Sequence, residues 1–419
     1  MKVQSGINLT AVLLALAAGT IGGARLSLAQ DVDPNQGTKQ IEAEVKEKNV
    51  AKWDDPETTR VYVIPVRGQF GQNVTATPLK RALNDAKKEQ PDVIMVVIDC
   101  TFTINGQTYQ EWATGAGEIV WQSNALPTAG ELSTLFHEGI RDDAEWKTRK
   151  GEKPRIVAWV KHAMGPATMF AMSFREIYMA EGAHLGGVGY LDQMMNDDGG
   201  SQRVLEKWRG ARLGRFTGLL QLGGYPEELA RAMARSDTLM SVDFQGGKPV
   251  FREDLAGEII LADGADETRR DTLQDLVRMK GNDVLTMDAE LAKKLGVSKG
   301  TVNSEDEMVA SLGIERTYAV RGDRAAKEMI RWSREVAQAE QRFAQRWREF
   351  NQIQVNGQTA TERNAQRGKR LGILNQIKRD LEMYKESINP QAIRGAPQQW
   401  VSEINVIIER LKTEMRLDR

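Results

Sequence analysis

The sequence predicts an α/β fold followed by an all-α C-terminal extension. Between residues 60 and 314, short apolar segments alternate with segments of helical periodicity, which is typical of an α/β fold. The run PDVIMVVIDC at 91–100 is apolar almost throughout, as in a parallel strand that is covered on both faces. From about residue 320 onward, apolar residues recur every seven positions among charged ones, and this spacing indicates helices of coiled-coil character.

The first of these regions opens with a β-α-β unit at 60–100. Its first strand, RVYVIPVRG, ends at Gly68, and the helix TPLKRALNDAKKEQ carries Leu79, Leu83 and Ala86 at helical spacing. The same alternation continues along the chain. It predicts a helix at 131–143, a strand at 154–160, a buried helix from 166, a short strand at 176–182, and a strand–helix–strand–helix series at 284–314 in which Gly296 closes the first helix.

The C-terminal region predicts a helical hairpin or a three-helix element. Its seams consist of Met329, Val336, Phe343 and Phe350 with Trp332, Ala339 and Arg346 or Trp347; of Leu371, Leu374, Leu381, Tyr384 and Ile388; and of Trp400, Ile404, Ile407, Leu411 and Met415. The segments QVNGQTAT and NPQAIRGAP separate the helices. Two interpretations stay open: a helical cap on the α/β domain, and an arm that binds a partner.

The N-terminus has the pattern of a signal peptide. Lys2 precedes the apolar run INLTAVLLALAAGTIGG, and SLAQ places Ser27 and Ala29 at the −3 and −1 positions of a cleavage site. We therefore expect residues 1–29 to be a signal peptide and the protein to be exported to the periplasm or another extracytoplasmic space. The apolar run is also about as long as a short membrane span, so an uncleaved, tethering segment is the alternative. The polar residues 30–58 are predicted to be a flexible tether.

Composition narrows the classes of partner and cofactor. The 419 residues carry a formal net charge of -1, which gives no electrostatic reason to expect a nucleic-acid partner. Cys100 is the single cysteine, so no internal disulfide forms, and its place at the end of an apolar strand predicts a core residue. The histidines, His137, His162 and His184, lack metal-ligand spacing. We expect no metal and no cofactor.

Three stretches carry a resemblance to a known family. VYVIPVRGQFGQNVTATPLKRALNDAKKEQPDVIMVVIDC, PRIVAWVKHAMGPATMFAMSFREIYMAEGAHLGGVG and KGNDVLTMDAELAKKLGVSKGTVNSEDEMVASLGI resemble exported NfeD- and SppA-type serine peptidases of the ClpP/crotonase superfamily. The resemblance covers about 60–314, with insertions at about 101–126 and 236–275. It implies a ClpP/crotonase-like β-α spiral at 59–318, leaving a helical extension at 319–419. It also implies a homo-oligomer, a peptide or protein substrate or ligand, and a membrane-associated protein partner.

The resemblance implies a Ser-Lys dyad that hydrolyses peptide bonds. A serine hydroxyl needs a base, a lysine of lowered pKa can serve, and backbone amides must stabilise the oxyanion. Without gaps, the match places Gly165 at the serine position; a shift by one places Pro166 there, and a three-residue gap places Thr168 there. Thr168 is either a replacement nucleophile or a helix-start hydroxyl that bonds locally. Pro166 fits the first turn of a helix, but it would remove an oxyanion donor.

The other members of the site follow from the same comparison. Lys207 in VLEKWRGARLG falls at the family lysine position, although a lysine on a charged helix is commonly a solvated residue. Gly130 in LPTAGEL is a candidate for the displaced oxyanion turn, or an ordinary helix start. Gly186 and Gly187 in GAHLGGVGY are expected to line the substrate cleft. His162 is either an alternative base for Thr168 or, as the more favoured interpretation, a satisfied loop residue.

Two functions remain at the level of sequence. One is a peptidase that uses Thr168 and Lys207. The other is a catalytically inactive relative that binds peptides, or acts as a scaffold, through the groove and the C-terminal helices. The residues favour the second, because the serine is missing.

Overall fold

The computed structural model describes residues 53–100, 103–104, 107–108, 125–189, 202–264, 268, 271, 282–314 and 317–418. All of these belong to the compact unit Asn49–Arg419. The predicted signal peptide, most of the predicted tether and most of the insertion at 101–126 lie outside the described residues. In the described part of the chain, no helix is both long and apolar enough to cross a membrane.

The predicted β-α-β unit is present. Strand β1 (Thr59–Arg67) is followed by helix α1 (Ala76–Glu89) and strand β2 (Val93–Cys100), and the two strands pair in parallel. Cys100 is buried and free, as expected. Burial raises the pKa of its thiol well above the usual range.

The remaining elements of the α/β part follow in chain order. They are β3 (Thr103–Ile104), β4 (Gln107–Thr108), α2 (Ala125–Arg141), β5 (Arg155–Met164), α3 (Pro166–Ala171), β6 (Ile177–Met179), β7 (His184–Gly186), α4 (Gln202–Gly223), α5 (Glu227–Ala234), β8 (Leu239–Gln245), β9 (Lys248–Arg252), β10 (Ile259–Asp263), β11 (Thr286–Asp288), α6 (Ala289–Lys294), β12 (Ser298–Thr301), α7 (Glu305–Ser311) and β13 (Tyr318–Arg321).

Among the described residues, the main sheet has eight strands and is almost entirely parallel. The strand order is β11-β7-β5-β2-β1-β13, while β6 pairs with β5 and β12 pairs with β6; the β11–β7 pair is antiparallel. Strand β13 was not expected, and it extends this sheet across the predicted boundary at 318/319. The described part of the second insertion forms a separate antiparallel sheet in the order β10-β8-β9.

Both faces of the main sheet are covered by apolar side chains. On one face, Ile94, Val96 and Ile98 of β2 belong to the large cluster that also contains residues of α1, α2 and α3. On the other face, Met95 and Val97 belong to a smaller cluster with residues of α7. The apolar run at 91–100 therefore forms a central strand, as the sequence predicted.

The C-terminal extension consists of helices α8 (Asp323–Gln352), α9 (Ala360–Met383), α10 (Pro390–Ile393) and α11 (Pro397–Leu417). Its heptad residues form a separate apolar cluster that includes Val336, Phe343, Leu374, Leu381 and Ile404. The predicted fold class, a mixed α/β fold with a parallel sheet and a helical C-terminal part, is confirmed.

Helix α8 packs on α1 and β1, so this helix covers the α/β part as a cap would. Residues 53–58 belong to the same packed region, and their assignment to the tether is wrong. Trp53 is buried, its carbonyl oxygen accepts a hydrogen bond from Arg60 Nε at 2.9 Å, and the guanidinium group of Arg321 lies 4.7 Å from its ring centroid. The burial of the indole, the hydrogen bond and the cation–π contact together hold this segment against the α/β part.

Candidate functional site

The turn between β5 and α3 has the backbone geometry expected at a nucleophile. Gly165 stands between the last residue of the strand and the first of the helix, with φ 58 and ψ -118. Sharp strand-to-helix turns of this kind expose the serine of many hydrolases, at some cost in backbone strain. Gly165 thus has the backbone conformation of such a turn, but it carries no side chain.

Pro166 follows as the first residue of helix α3. A proline is tolerated there because the first amides of a helix have no partner within it. For an oxyanion, the consequence is the opposite: the residue after the nucleophile position offers no N–H. The expectation that Pro166 opens the helix is met.

Thr168 is fully buried, and its hydroxyl is bonded to three backbone atoms. Oγ1 lies 2.8 Å from the carbonyl oxygen of Ala163 and 2.7 Å from that of Gly186, and it accepts a hydrogen bond from the Gly186 amide at 2.9 Å. A hydroxyl has one proton to donate, so these contacts occupy it fully. They match a structural hydrogen-bonding role, which reaches strand β7 as well as the neighbouring chain, rather than the role of an attacking group.

The glycines expected to supply oxyanion donors use their amides within the fold. The amide of Gly165 donates to the carbonyl oxygen of Gly186 at 2.9 Å, and the amide of Gly187 donates to that of Leu285 at 3.0 Å. Gly186 donates to Thr168, as above. A Cβ at Gly186 would stand 2.4 Å from the Leu285 carbonyl oxygen, so this glycine allows β7 and β11 to approach closely.

Gly130 does not open a helix, and that expectation is wrong. Helix α2 begins at Ala125, so Gly130 lies in its second turn, where amides bond to carbonyl groups four residues before them. The apolar pattern does not reveal that the helix begins earlier. Its first turn lies in the segment ALPTA, where Pro127 is the only residue that signals a helix start.

Lys207 lies in the first half of α4, and its side chain is exposed. The helix packs on α2 and α3, and the buried residues Phe216, Leu219 and Leu220 belong to its second half. The helix that carries the lysine therefore packs next to the segment that contains Gly165, as expected, when whole elements are compared. The hydrogen-bond partners of Thr168 Oγ1 are all backbone atoms.

His162, for which the sequence left open an alternative base for Thr168 or a satisfied loop residue, stacks on a second histidine. Its ring and that of His184 are nearly parallel, at 7°, with centroids 6.3 Å apart. A one-residue irregularity in β5 produces this arrangement: Ile98 pairs with Val160, but Asp99 pairs with His162, which leaves Lys161 as an extra residue. Bulges of this kind re-aim the side chain that follows them.

The stacked histidines belong to a row of ionisable residues that crosses five neighbouring strands. Arg67 pairs in register with Asp99, Asp99 with His162, and His184 with Asp288. Arg67 Nε lies 3.6 Å from Asp99 Oδ2. We name these five residues, from Arg67 to Asp288, the polar row. The sequence shows each as a strand-end residue, but no periodicity signals their alignment, because register and the bulge arise from pairing between distant segments.

A surface cavity lies at the opposite edge of the sheet. It has a volume of about 400 Å³ and is lined by the end of α2, the start of β5 and the segment Phe174–Glu176. Strand β5 has 10 residues and separates this cavity from the Gly165 turn by roughly 30 Å at about 3.3 Å per residue. Arg155 on its rim is engaged by Glu176, with N···O at 2.6 Å. The cavity and the turn are separate features.

Within the described ranges, no group of three or more histidine, cysteine, aspartate or glutamate side chains is placed to hold a metal ion. This statement covers the polar row, whose side chains stand in a line across the sheet and do not converge on a point.

Solved structures similar to this chain include two mutants of one protease. No family model and no curated protein matches the chain. A mutant of the 1510-N membrane-bound stomatin-specific protease, in complex with a substrate peptide, is 13% identical, with a TM-score of 0.34; the match covers 64% of this chain and 92% of that one. A second mutant of the same protease is 14% identical, with a TM-score of 0.34, and the match covers 63% and 97%. A likeness of this size says nothing about the activity or substrate of this chain.

Proposed function

We propose that this protein is a non-catalytic member of the ClpP/crotonase-type serine peptidases that binds peptide or protein segments without cleaving them. One observation carries the proposal: a glycine occupies the strand-to-helix turn in which the family's nucleophile is expected. The backbone of Gly165, with φ 58 and ψ -118, keeps the geometry of a nucleophile turn. The side chain that would attack is absent.

The surroundings of the turn support the same proposal. Catalysis of acyl transfer needs two amide donors aimed at the developing oxyanion. Pro166 has no amide proton, and the amides of Gly165, Gly186 and Gly187 donate to acceptors within the fold. Stabilisation of the transition state would therefore require several of these hydrogen bonds to break.

The alternative is hydrolysis by Thr168 with Lys207 as the base. It requires the Thr168 hydroxyl to leave three backbone partners and become accessible, although the residue is fully buried. Lys207 would also have to leave an exposed position. Each broken buried hydrogen bond costs about 1–3 kcal/mol, so this route is the less favourable one.

Export, self-association and a membrane-associated partner belong to the proposal as well. They rest on the sequence: the segment 1–29 has the pattern of a signal peptide, and the family resemblance implies oligomers. The C-terminal helices are the second part of the chain proposed to carry such a partner, beside the groove.

The test combines covalent labelling with binding. The purified full-length protein is treated with a fluorophosphonate probe, and casein peptides labelled with fluorescein report binding by anisotropy and cleavage by gel. We expect no labelling, no cleavage, and a saturable rise in anisotropy. Labelling or cleavage that Thr168→Ala abolishes would establish the peptidase instead, and a flat anisotropy curve would contradict the binding role.

Two variants provide the matched control. Gly165→Ser restores a hydroxyl at the turn, and Gly165→Ser combined with Pro166→Gly also restores the following amide. If the turn is a former nucleophile site, the double variant is labelled at residue 165, and faster than the single variant. Absence of labelling in both variants, with the fold intact by circular dichroism, would contradict the assignment of Gly165 to the nucleophile position.

A further inference from the structure

The polar row places two facing imidazoles where they control the attachment of a short strand. Strand β7 has 3 residues and is held to β5 through the pairs Ala163–Leu185 and Met164–Gly186. His162 and His184 stand directly before these pairs, one on each strand, with their rings stacked. A change of charge on the rings therefore acts at the junction of the two strands.

The same strand holds the Gly165 turn together. The carbonyl oxygen of Gly186 accepts hydrogen bonds from the Gly165 amide and from Thr168 Oγ1, and the Gly186 amide donates to Thr168. Displacement of β7 from β5 would break these three bonds at once. Only two residues of chain separate the histidine pair from the turn, so a movement at the pair is passed on to the turn.

The charged groups that face the pair come from β1, β2, β5 and β11. Asp99 faces His162, Asp288 faces His184, and Arg67 approaches the pair through its contact with Asp99. Lys161 lies on the same strand as His162, and its Nζ is 4.6 Å from the ring centroid of Trp159. The two carboxylates favour the first protons on the pair, whereas burial and the second imidazole oppose them.

We propose that the His162–His184 pair is a proton-operated latch: protonation of the stacked rings loosens β7 from β5 and so releases Thr168 and the Gly165 turn. Two imidazolium rings face to face repel one another, and the half-buried site screens that repulsion less than bulk water does. The latch is closed at neutral pH and opens in a mildly acidic compartment. The latch acts in the same way whether the turn is catalytic or belongs to a protein that only binds peptides.

The direction in which pH changes the stability of the latch follows from the pKa shifts of the two histidines. Burial is the main cause that lowers the pKa of each below its ordinary value of 6.5, and the charge of His162 lowers that of His184 further. Folding therefore disfavours the protonated rings. Their contribution to stability is complete above about pH 6.5, and it is lost as the pH falls towards the lowered pKa values.

Hydrogen exchange on the full-length protein tests the latch. We expect the amides of Gly165, Gly186 and Gly187 to lose protection between pH 7.5 and 5.5, after correction for intrinsic exchange, by at most about tenfold for each histidine, because this window reaches about one unit below the ordinary pKa of 6.5. The amides of β2 keep their protection. The double variant His162→Asn, His184→Asn removes the pH dependence. Unchanged protection in the wild type, or an equal loss in the double variant, overturns the proposal.

The third histidine of the chain supplies the control. Burial also lowers the pKa of His137, which lies on helix α2 beside Phe174, and His137→Asn should leave the pH response of β7 unchanged. If the double variant does not fold, NMR titration of the wild type decides the question. Coupled titration of the two rings below pH 6.5 is expected, and independent titration at the ordinary pKa overturns the latch.

Discussion

At the scale of single residues, Thr168 is explained by its hydrogen bonds. Its hydroxyl connects helix α3 to strand β7, which lies 18 residues further along the chain, and so ties the turn at Gly165 to the edge of the sheet. Sequence reasoning left open whether Thr168 was a nucleophile or a local hydrogen-bonding residue. The contacts support the second role, while the catalytic role stays an untested prediction.

Thr168→Val tests the structural role. Valine keeps the shape but leaves the buried Gly186 amide without an acceptor, so we expect a loss of about 2–3 kcal/mol in the free energy of unfolding, measured by urea titration. Thr168→Ser keeps the hydroxyl and removes one methyl group, which costs about 1 kcal/mol. A valine variant as stable as the serine variant would show that the hydroxyl contributes nothing.

At the scale of elements, the short strand β7 depends on the close approach of its glycines to β11. Gly186 has a φ of 150, and a Cβ there would meet the backbone of Leu285 and Thr286. The Gly-rich stretch GAHLGGVGY was expected to line a groove. In the structure, Gly186 and Gly187 join two strands, and this explains why glycine is needed at position 186. Their place in a groove stays a prediction.

Gly186→Ala should therefore be costly. The new methyl group overlaps a backbone oxygen that cannot move alone, and we expect a loss of at least about 3 kcal/mol in unfolding free energy by urea titration. Gly182→Ala is the control: its φ of 72 is also left-handed, but nothing lies within 4 Å of a Cβ there. Its cost is only backbone strain, about 1 kcal/mol. Equal costs would mean that the close approach is unimportant.

At the scale of the whole molecule, a buried hydroxyl joins the helical extension to the α/β part. Ser387 Oγ accepts a hydrogen bond from Trp332 Nε1 at 2.8 Å and lies 3.1 Å from Thr75 Oγ1, just before helix α1. All three residues are buried. The extension is thus docked by polar contacts as well as by the packing of α8, which supports the interpretation as a cap.

Ser387→Ala should weaken this docking. It leaves the Trp332 indole N–H and the Thr75 hydroxyl without their partner, so we expect a loss of about 2 kcal/mol and a lower midpoint in thermal unfolding followed by circular dichroism. Ser402→Ala, at an exposed position on α11, should stay within about 0.5 kcal/mol of the wild type. If the two variants behave alike, Ser387 does not hold the extension.

Much of this fold could be predicted because it depends on local patterns. The apolar run at 91–100, the helical spacing of Leu79 and Leu83, and the heptads from Met329 to Phe350 are set by neighbours within a few turns of chain. The strand β13 and the ordered residue Trp53 could not be predicted, since both are fixed by contacts with distant strands. The candidate site divides in the same way: Gly165 and Pro166 are visible in the sequence, but the partners of Thr168 are not.

The sequence by itself determined the alternation of strands and helices, the apolar seams of the extension, the core position of Cys100 and the glycine at the expected nucleophile position, because each follows from residue type and spacing. Only the tertiary structure decided that Arg67, Asp99, His162, His184 and Asp288 stand in one row. Their alignment depends on the register of five strands and on one extra residue in β5. Register is a property of paired backbones, and a shift by one residue would turn these side chains to the opposite face.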